Sequence, residues 1–188
     1  MDRARPMGHR LDEGAAERGV DEVGRQRIAR IHDAAMELRR GAGVGQHHRD
    51  YLHPGRSALI LLIDLGEADA TTLCAAIAFD SERADWIPRA AVADDRDLAM
   101  RVAELPPAGA DDLAERLVVA DEAVRRAALA ERLDQLRHAH LWPDLEARRR
   151  AHAEAEAVYA PIARRTHPVF ARRYDWWCGM FATRHLTG

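Results

Sequence analysis

The chain contains no lysine and no asparagine; apart from histidine, all 28 of its basic residues are arginine. The codons of both missing residues are rich in adenine, so nucleotide composition is the first explanation. The absence still has chemical consequences. A P-loop lysine, a Schiff-base lysine and a kinase-type lysine are excluded, and the reaction classes that need them go too. Cysteine is almost absent. Cys74 and Cys178 stand far apart, each inside an apolar helical pattern, which supports neither a disulfide framework nor a thiolate zinc site and reads as two reduced, buried thiols. Long hydrophobic runs are missing: the greasiest stretch, 58–65, falls far short of the ~20 residues a spanning helix needs, and the first residues hold no apolar signal core. The expectation is a soluble, cytoplasmic protein with no membrane partner. An excess of charge of one sign is also lacking. The 28 basic and 31 acidic residues are interspersed and sum to −3, leaving no broad basic field, so duplex nucleic acid is not an expected partner.

Helical periodicity is what the chain does have. Its 188 residues suffice for one domain with a real core but not for two ordinary ones. Residues 1–20 are charged and aperiodic and read as a mobile tail ahead of a single domain over 21–188. Over 20–40, Ile28, Ile31, Ala35 and Leu38 recur at helical spacing up to Gly41-Ala42-Gly43. A polar loop leads to a short buried helix over 56–65, stopped by Gly66. Asp69 can cap the next helix, whose apolar face runs through Leu73, Ala76 and Ile77 and then delivers Asp80. A carboxylate on an apolar stripe needs a partner. Further helices are predicted over 95–105, over 111–138 with an interruption near Asp121, over 144–165 and over 168–184. No stretch alternates with period two for long enough to require a strand, so the class is all-α, and no internal repeat is present.

Four separated segments carry a resemblance. They are Tyr51-Leu52-His53-Pro54 with Ser57 to Leu61 behind it; Phe79-Asp80 after Asp69, Thr72, Ala75 and Ala76; Leu129-Ala130-Glu131-Arg132-Leu133-Asp134-Gln135-Leu136-Arg137; and Glu154 with Tyr159-Ala160-Pro161-Ile162-Ala163. In order and spacing, over roughly residues 28 to 180, they resemble the HD-superfamily alarmone hydrolases of RelA/SpoT type, which remove pyrophosphate from (p)ppGpp. The resemblance implies an HD-domain helical bundle. It also implies a divalent ion, manganese, held by two histidines and two aspartates, which binds substrate phosphate and activates the attacking water.

Carried over by position, the metal ligands are His53, Asp80 and Glu131, while Phe79 stands where the family has its second histidine. Glutamate for aspartate keeps the charge but moves the carboxylate by about one bond. Phenylalanine deletes a ligand. The family's Glu-Asp pair one turn on is matched by Arg83 and Ala84, leaving Glu82 and Asp85, which flank them about 100° away on a helix, as substitute catalytic acids. Arg40, Arg49 and Arg56 lie near the first motif and Gln135 replaces the family's asparagine; these four are the candidate nucleotide contacts.

Plainer readings compete. Asp80 and Glu131 can instead pair with arginines such as Arg56, Arg83 or Arg132 in an emptied metal site. His47-His48 are either replacement ligands or exposed loop residues, and His32-Asp33 reads as a polar helix face. Trp176-Trp177 with Phe170, Tyr174, Met180 and Phe181 reads as terminal-helix core, any exposed part marking a homodimer or partner surface. Two functions from different classes follow. One is a catalytically impaired HD-fold protein whose arginine-rimmed cleft binds a nucleotide, another phosphorylated small molecule or a protein partner. The other is a divergent metal-dependent phosphohydrolase acting on (p)ppGpp or another phosphate ester; new metal-independent chemistry of the Asp80 and Glu131 carboxylates is a third. An arginine at the ion position, or Phe79 closing it, counts against the hydrolase.

Overall fold

A computed structural model describes residues 2–186, and over these the chain is helix and loop with no strand. Met1 and the last two residues of the expected 21–188 domain lie outside the described residues. In a chain without asparagine, aspartate does most of the capping. Asp21 opens α2 (Glu22–Gly41), Asp69 opens α4 (Ala70–Ala78), and Asp95, Asp121 and Asp144 open α6 (Arg96–Glu104), α8 (Glu122–Arg137) and α9 (Leu145–Glu154). Each carboxylate accepts a backbone N–H of the first turn, which otherwise has no partner. The remaining helices are α1 (Ala4–Glu17), α3 (His53–Leu59), α5 (Arg89–Ala93), α7 (Leu113–Val119), α10 (Ala160–Thr166) and α11 (Pro168–Phe181). The break expected near Asp121 separates α7 from α8. The single helices expected over 144–165 and 168–184 are each modified by a π-helical stretch, Ala155–Tyr159 and Ala182–Leu186. A third such stretch, Ile60–Leu65, continues α3 and ends at Gly66, whose left-handed backbone (φ +71°) suits glycine.

The mobile tail expected over residues 1–20 is instead α1, packed on α2 and α3. Ala4, Met7, Leu11 and Ala15 make its buried stripe. Two of these four are alanines and charged residues surround the rest, so the helical period is present but weak in the sequence. Contact with α3 is close: a Cβ on Gly55 would fall 2.3 Å from Met7 Cγ, so only glycine fits there with Met7 in place. Leu11→Ala is accordingly expected to cost about 3 kcal/mol, read by urea denaturation; an unchanged midpoint would mean that α1 contributes nothing to the core.

At the centre lies α4, buried on every side from Thr72 to Ala78 and packed by α2, α3, α6 and α8. It does not deliver Asp80, as its apolar face suggested. The helix ends at Ala78, Phe79 is extended, and Asp80 sits in the following loop. Asp80 Oδ1 there accepts the backbone N–H groups of Glu82 (3.3 Å) and Arg83 (3.0 Å), a local turn that competes with helix. Against the other side of the core, α11 is fixed to α8 by Tyr174 Oη donating to Leu129 O (2.8 Å) and Trp177 Nε1 donating to Leu136 O (2.9 Å). The terminal aromatic cluster is therefore largely core, except for Trp176.

Candidate functional site

His53 opens α3, ahead of Pro54, and its ring enters the interior toward α8. Glu131 and Asp134 are three residues apart on α8 and so share a face. His53 Nδ1 lies 2.8 Å from Asp134 Oδ2 and Nε2 lies 3.2 Å from Glu131 Oε1. With a carboxylate at each nitrogen, both nitrogens must donate, and only the imidazolium does that. Burial works against the charge, but the bonds to Asp134 and Glu131 outweigh it and raise His53 to about 10. In turn, Asp134 is held at about 2 despite burial, by His53 and by Arg56, whose Nε donates to Oδ1 at 2.8 Å.

On the other side of this triad is Arg39, which motif order and spacing do not single out. Its Nη2 donates to Asp80 Oδ2 at 2.9 Å, with side chains 1% and 4% exposed. The rest of the guanidinium is satisfied by Asp50 O (3.0 Å) and Ala35 O (3.4 Å), and it lies 5.0 Å from the Trp86 ring centre. Burial raises Asp80 to about 6, Glu131 adding to it and His53 and Arg39 opposing. The sequence does hold a signal for Arg39: it falls four residues after Ala35 on the buried stripe of α2, and a charge there requires a partner. Gln135 closes the cluster, donating to Glu131 Oε1 (2.6 Å) and Asp80 Oδ1 (3.4 Å), while Ser81 N–H also donates to Glu131 Oε1 (2.9 Å). Glu131 Oε2 is buried with no hydrogen-bond partner. Three cations (Arg39, His53, Arg56) thus face three carboxylates (Asp80, Glu131, Asp134). The cavity above them is only about 20 Å³, room for about one water molecule.

These residues do not fit a divalent ion. Each ring nitrogen of His53 is engaged by a carboxylate, Asp80 is occupied by a guanidinium, and among the described residues no three His, Cys, Asp or Glu side chains converge as an ion-binding group. Phe79 is buried in the apolar core. The other candidates scatter. Glu82 pairs with Arg132 at 2.7 Å, and Asp85 is exposed and pairs with Arg83 at 2.8 Å. No helix relates them, because 79–83 is loop, so the expected pair of substitute acids is not assembled. Arg40 is turned to Glu37 and Asp2, Arg49 lies 5.7 Å over Trp142, and Arg56 is spent on Asp134; with Gln135 inside the cluster, the four predicted nucleotide contacts do not share one pocket. His47 and His48 are exposed. His32, expected on a polar face, is buried with neither ring nitrogen hydrogen-bonded, and burial lowers its pKa.

Fold and site together define an all-α helical bundle with a closed, charge-balanced polar centre. Comparison of the chain with protein-family models, curated proteins and solved structures finds no match.

Proposed function

We propose that this chain is an HD-like scaffold, resembling the (p)ppGpp hydrolases, that acts by binding a phosphorylated small molecule and not by metal-dependent hydrolysis. The Arg39–Asp80 ion pair carries this reading. Hydrolysis of the family type requires free carboxylates around an ion, whereas here a fixed guanidinium sits 2.9 Å from Asp80. Space for a ligand exists only outside this centre. Cavities of about 540 and 480 Å³ flank α8, both with arginine in their walls, and guanidinium forks suit phosphate.

The test is pyrophosphate release from ppGpp with manganese present. No turnover is expected from the chain, and none from Phe79→His, because that substitution leaves Arg39 and His53 in place. Turnover that disappears in Asp80→Ala would overturn the reading in favour of a divergent hydrolase.

A further inference from the structure

We propose that the cavity between the C-terminal ends of α8 and α11 is the binding site for an aromatic phosphate, a nucleotide-like small molecule with a planar ring and at least one phosphoryl group. This rests on the reading that the chain acts by binding, and it adds the place and the ligand class. The volume, about 540 Å³, falls within the ~300–1,000 Å³ of small-molecule pockets.

The aromatic half of the site is Trp176. Its neighbour Trp177 does the structural work, bonded to Leu136 O and stacked on Phe181 with ring centres 4.5 Å apart. Trp176 has no such role and is 65% exposed in the cavity wall. An exposed indole beside cations is the surface on which a nucleobase stacks.

The anionic half is marked by cations that lack partners. Arg137 and Arg184 line the cavity, both are exposed, and neither side chain makes an ion pair or hydrogen bond with any described residue. The one acid in the wall, Asp134, already serves His53 and Arg56. Beyond Arg56 and Arg137 the wall continues into a second cavity of about 480 Å³, which adds Arg10, without a partner among the described residues, and Arg173, which pairs with Asp64 of the same wall. The cations crowd one another: burial and the nearby Arg173 lower the pKa of Arg137. Together the two walls hold Arg3, Arg10, Arg56, Arg137, Arg173 and Arg184 against Asp64 and Asp134, a local excess of +4 on a chain whose net charge is −3. A phosphate group at Arg137 would relieve that repulsion through charge-assisted hydrogen bonds.

The experiment is calorimetric titration of the full chain with ADP as probe, at low salt and without metal, beside adenosine and inorganic pyrophosphate. ADP is expected to bind, with each half-ligand roughly tenfold weaker or worse. Trp176→Ala and Arg137→Ala should each weaken ADP about tenfold with unchanged melting, since neither side chain bonds to the rest of the fold. Arg49→Ala, in the other cavity, should leave the affinity unchanged. The proposal is overturned if ADP does not bind, if pyrophosphate binds as well as ADP, or if Arg49→Ala and not Arg137→Ala abolishes binding. Each of those failures leaves the turnover result standing, and turnover in the hydrolase assay leaves the ADP result standing, so the two readings fail separately.

Discussion

Arg39→Ala is expected to destabilise the fold by about 3–5 kcal/mol, the cost of stranding one partner of a buried ion pair. The substitution leaves the Asp80 carboxylate buried beside Glu131 with its compensating cation gone. It also removes the donors that satisfy Asp50 O and Ala35 O, and the contact with Trp86. Attraction between the two charges is a smaller part of this loss than the desolvation left uncompensated. Replacing both partners by neutral groups should therefore cost less than replacing one. Arg39→Met combined with Asp80→Asn, which keeps the Oδ1 bonds to the 80–83 turn, is expected to recover at least half of the loss. Urea denaturation of the two single variants and the double at neutral pH measures the cycle. A loss below about 1 kcal/mol for Arg39→Ala would place the pair in the range of solvent-screened surface bridges and would make Asp80 a free carboxylate again.

The second large effect is on pH. His53 rises from an ordinary 6.5 to about 10 in the folded chain. Between these values the folded state keeps a proton that the unfolded state gives up, so raising the pH favours unfolding. The stabilisation is fully present below 6.5 and is lost as pH rises through 10. Its upper limit is about 5 kcal/mol, from about 1.4 kcal/mol for each tenfold change in proton affinity. Cys74 is raised to about 12 and would add a similar loss above pH 9, so the clean interval is pH 6.5 to 8.5, where a fall of about 2 kcal/mol is expected. Asp80 runs in a lower window. Raised from 3.8 to about 6, its contribution is present below 3.8 and lost as pH climbs through 6. Asp134 has the opposite sign: lowered from 3.8 to about 2, it stabilises above 3.8 and loses that as pH falls through 2. His53→Gln should abolish the slope between pH 6.5 and 8.5 whatever its absolute stability. A native chain whose stability is flat over that interval would mean that His53 is neutral.

The helical class, the aspartate cap at Asp69, the interruption near Asp121 and the stop at Gly66 are legible in the sequence because each depends on residues a few positions apart. Helical period places a side chain on a face, and a capping carboxylate reaches only its own first turn. The same locality explains the errors. In α1 the stripe of Ala4, Met7, Leu11 and Ala15 is too small to stand out from its charged surroundings, and its burial depends on Gly55, distant in sequence, leaving room for Met7. Period alone puts Asp80 on a helix, whereas the bonds of its own side chain hold the turn that ends that helix.

The candidate site divides along the same line. His53 and Glu131, singled out from motif order, do meet across 78 positions. That Arg39 would reach Asp80, 41 positions away, was decided by how α2 stacks on α4. So was the charge on His53, which is the sum of burial and of two carboxylates presented by α8. By itself the sequence determined the helical class and most of the buried faces, the stripe of α1 and His32 excepted. Only the tertiary structure decided which of those buried charges neutralise one another, because the energy of a buried charge depends on its neighbours in space over a few ångströms, and local periodicity carries no record of them.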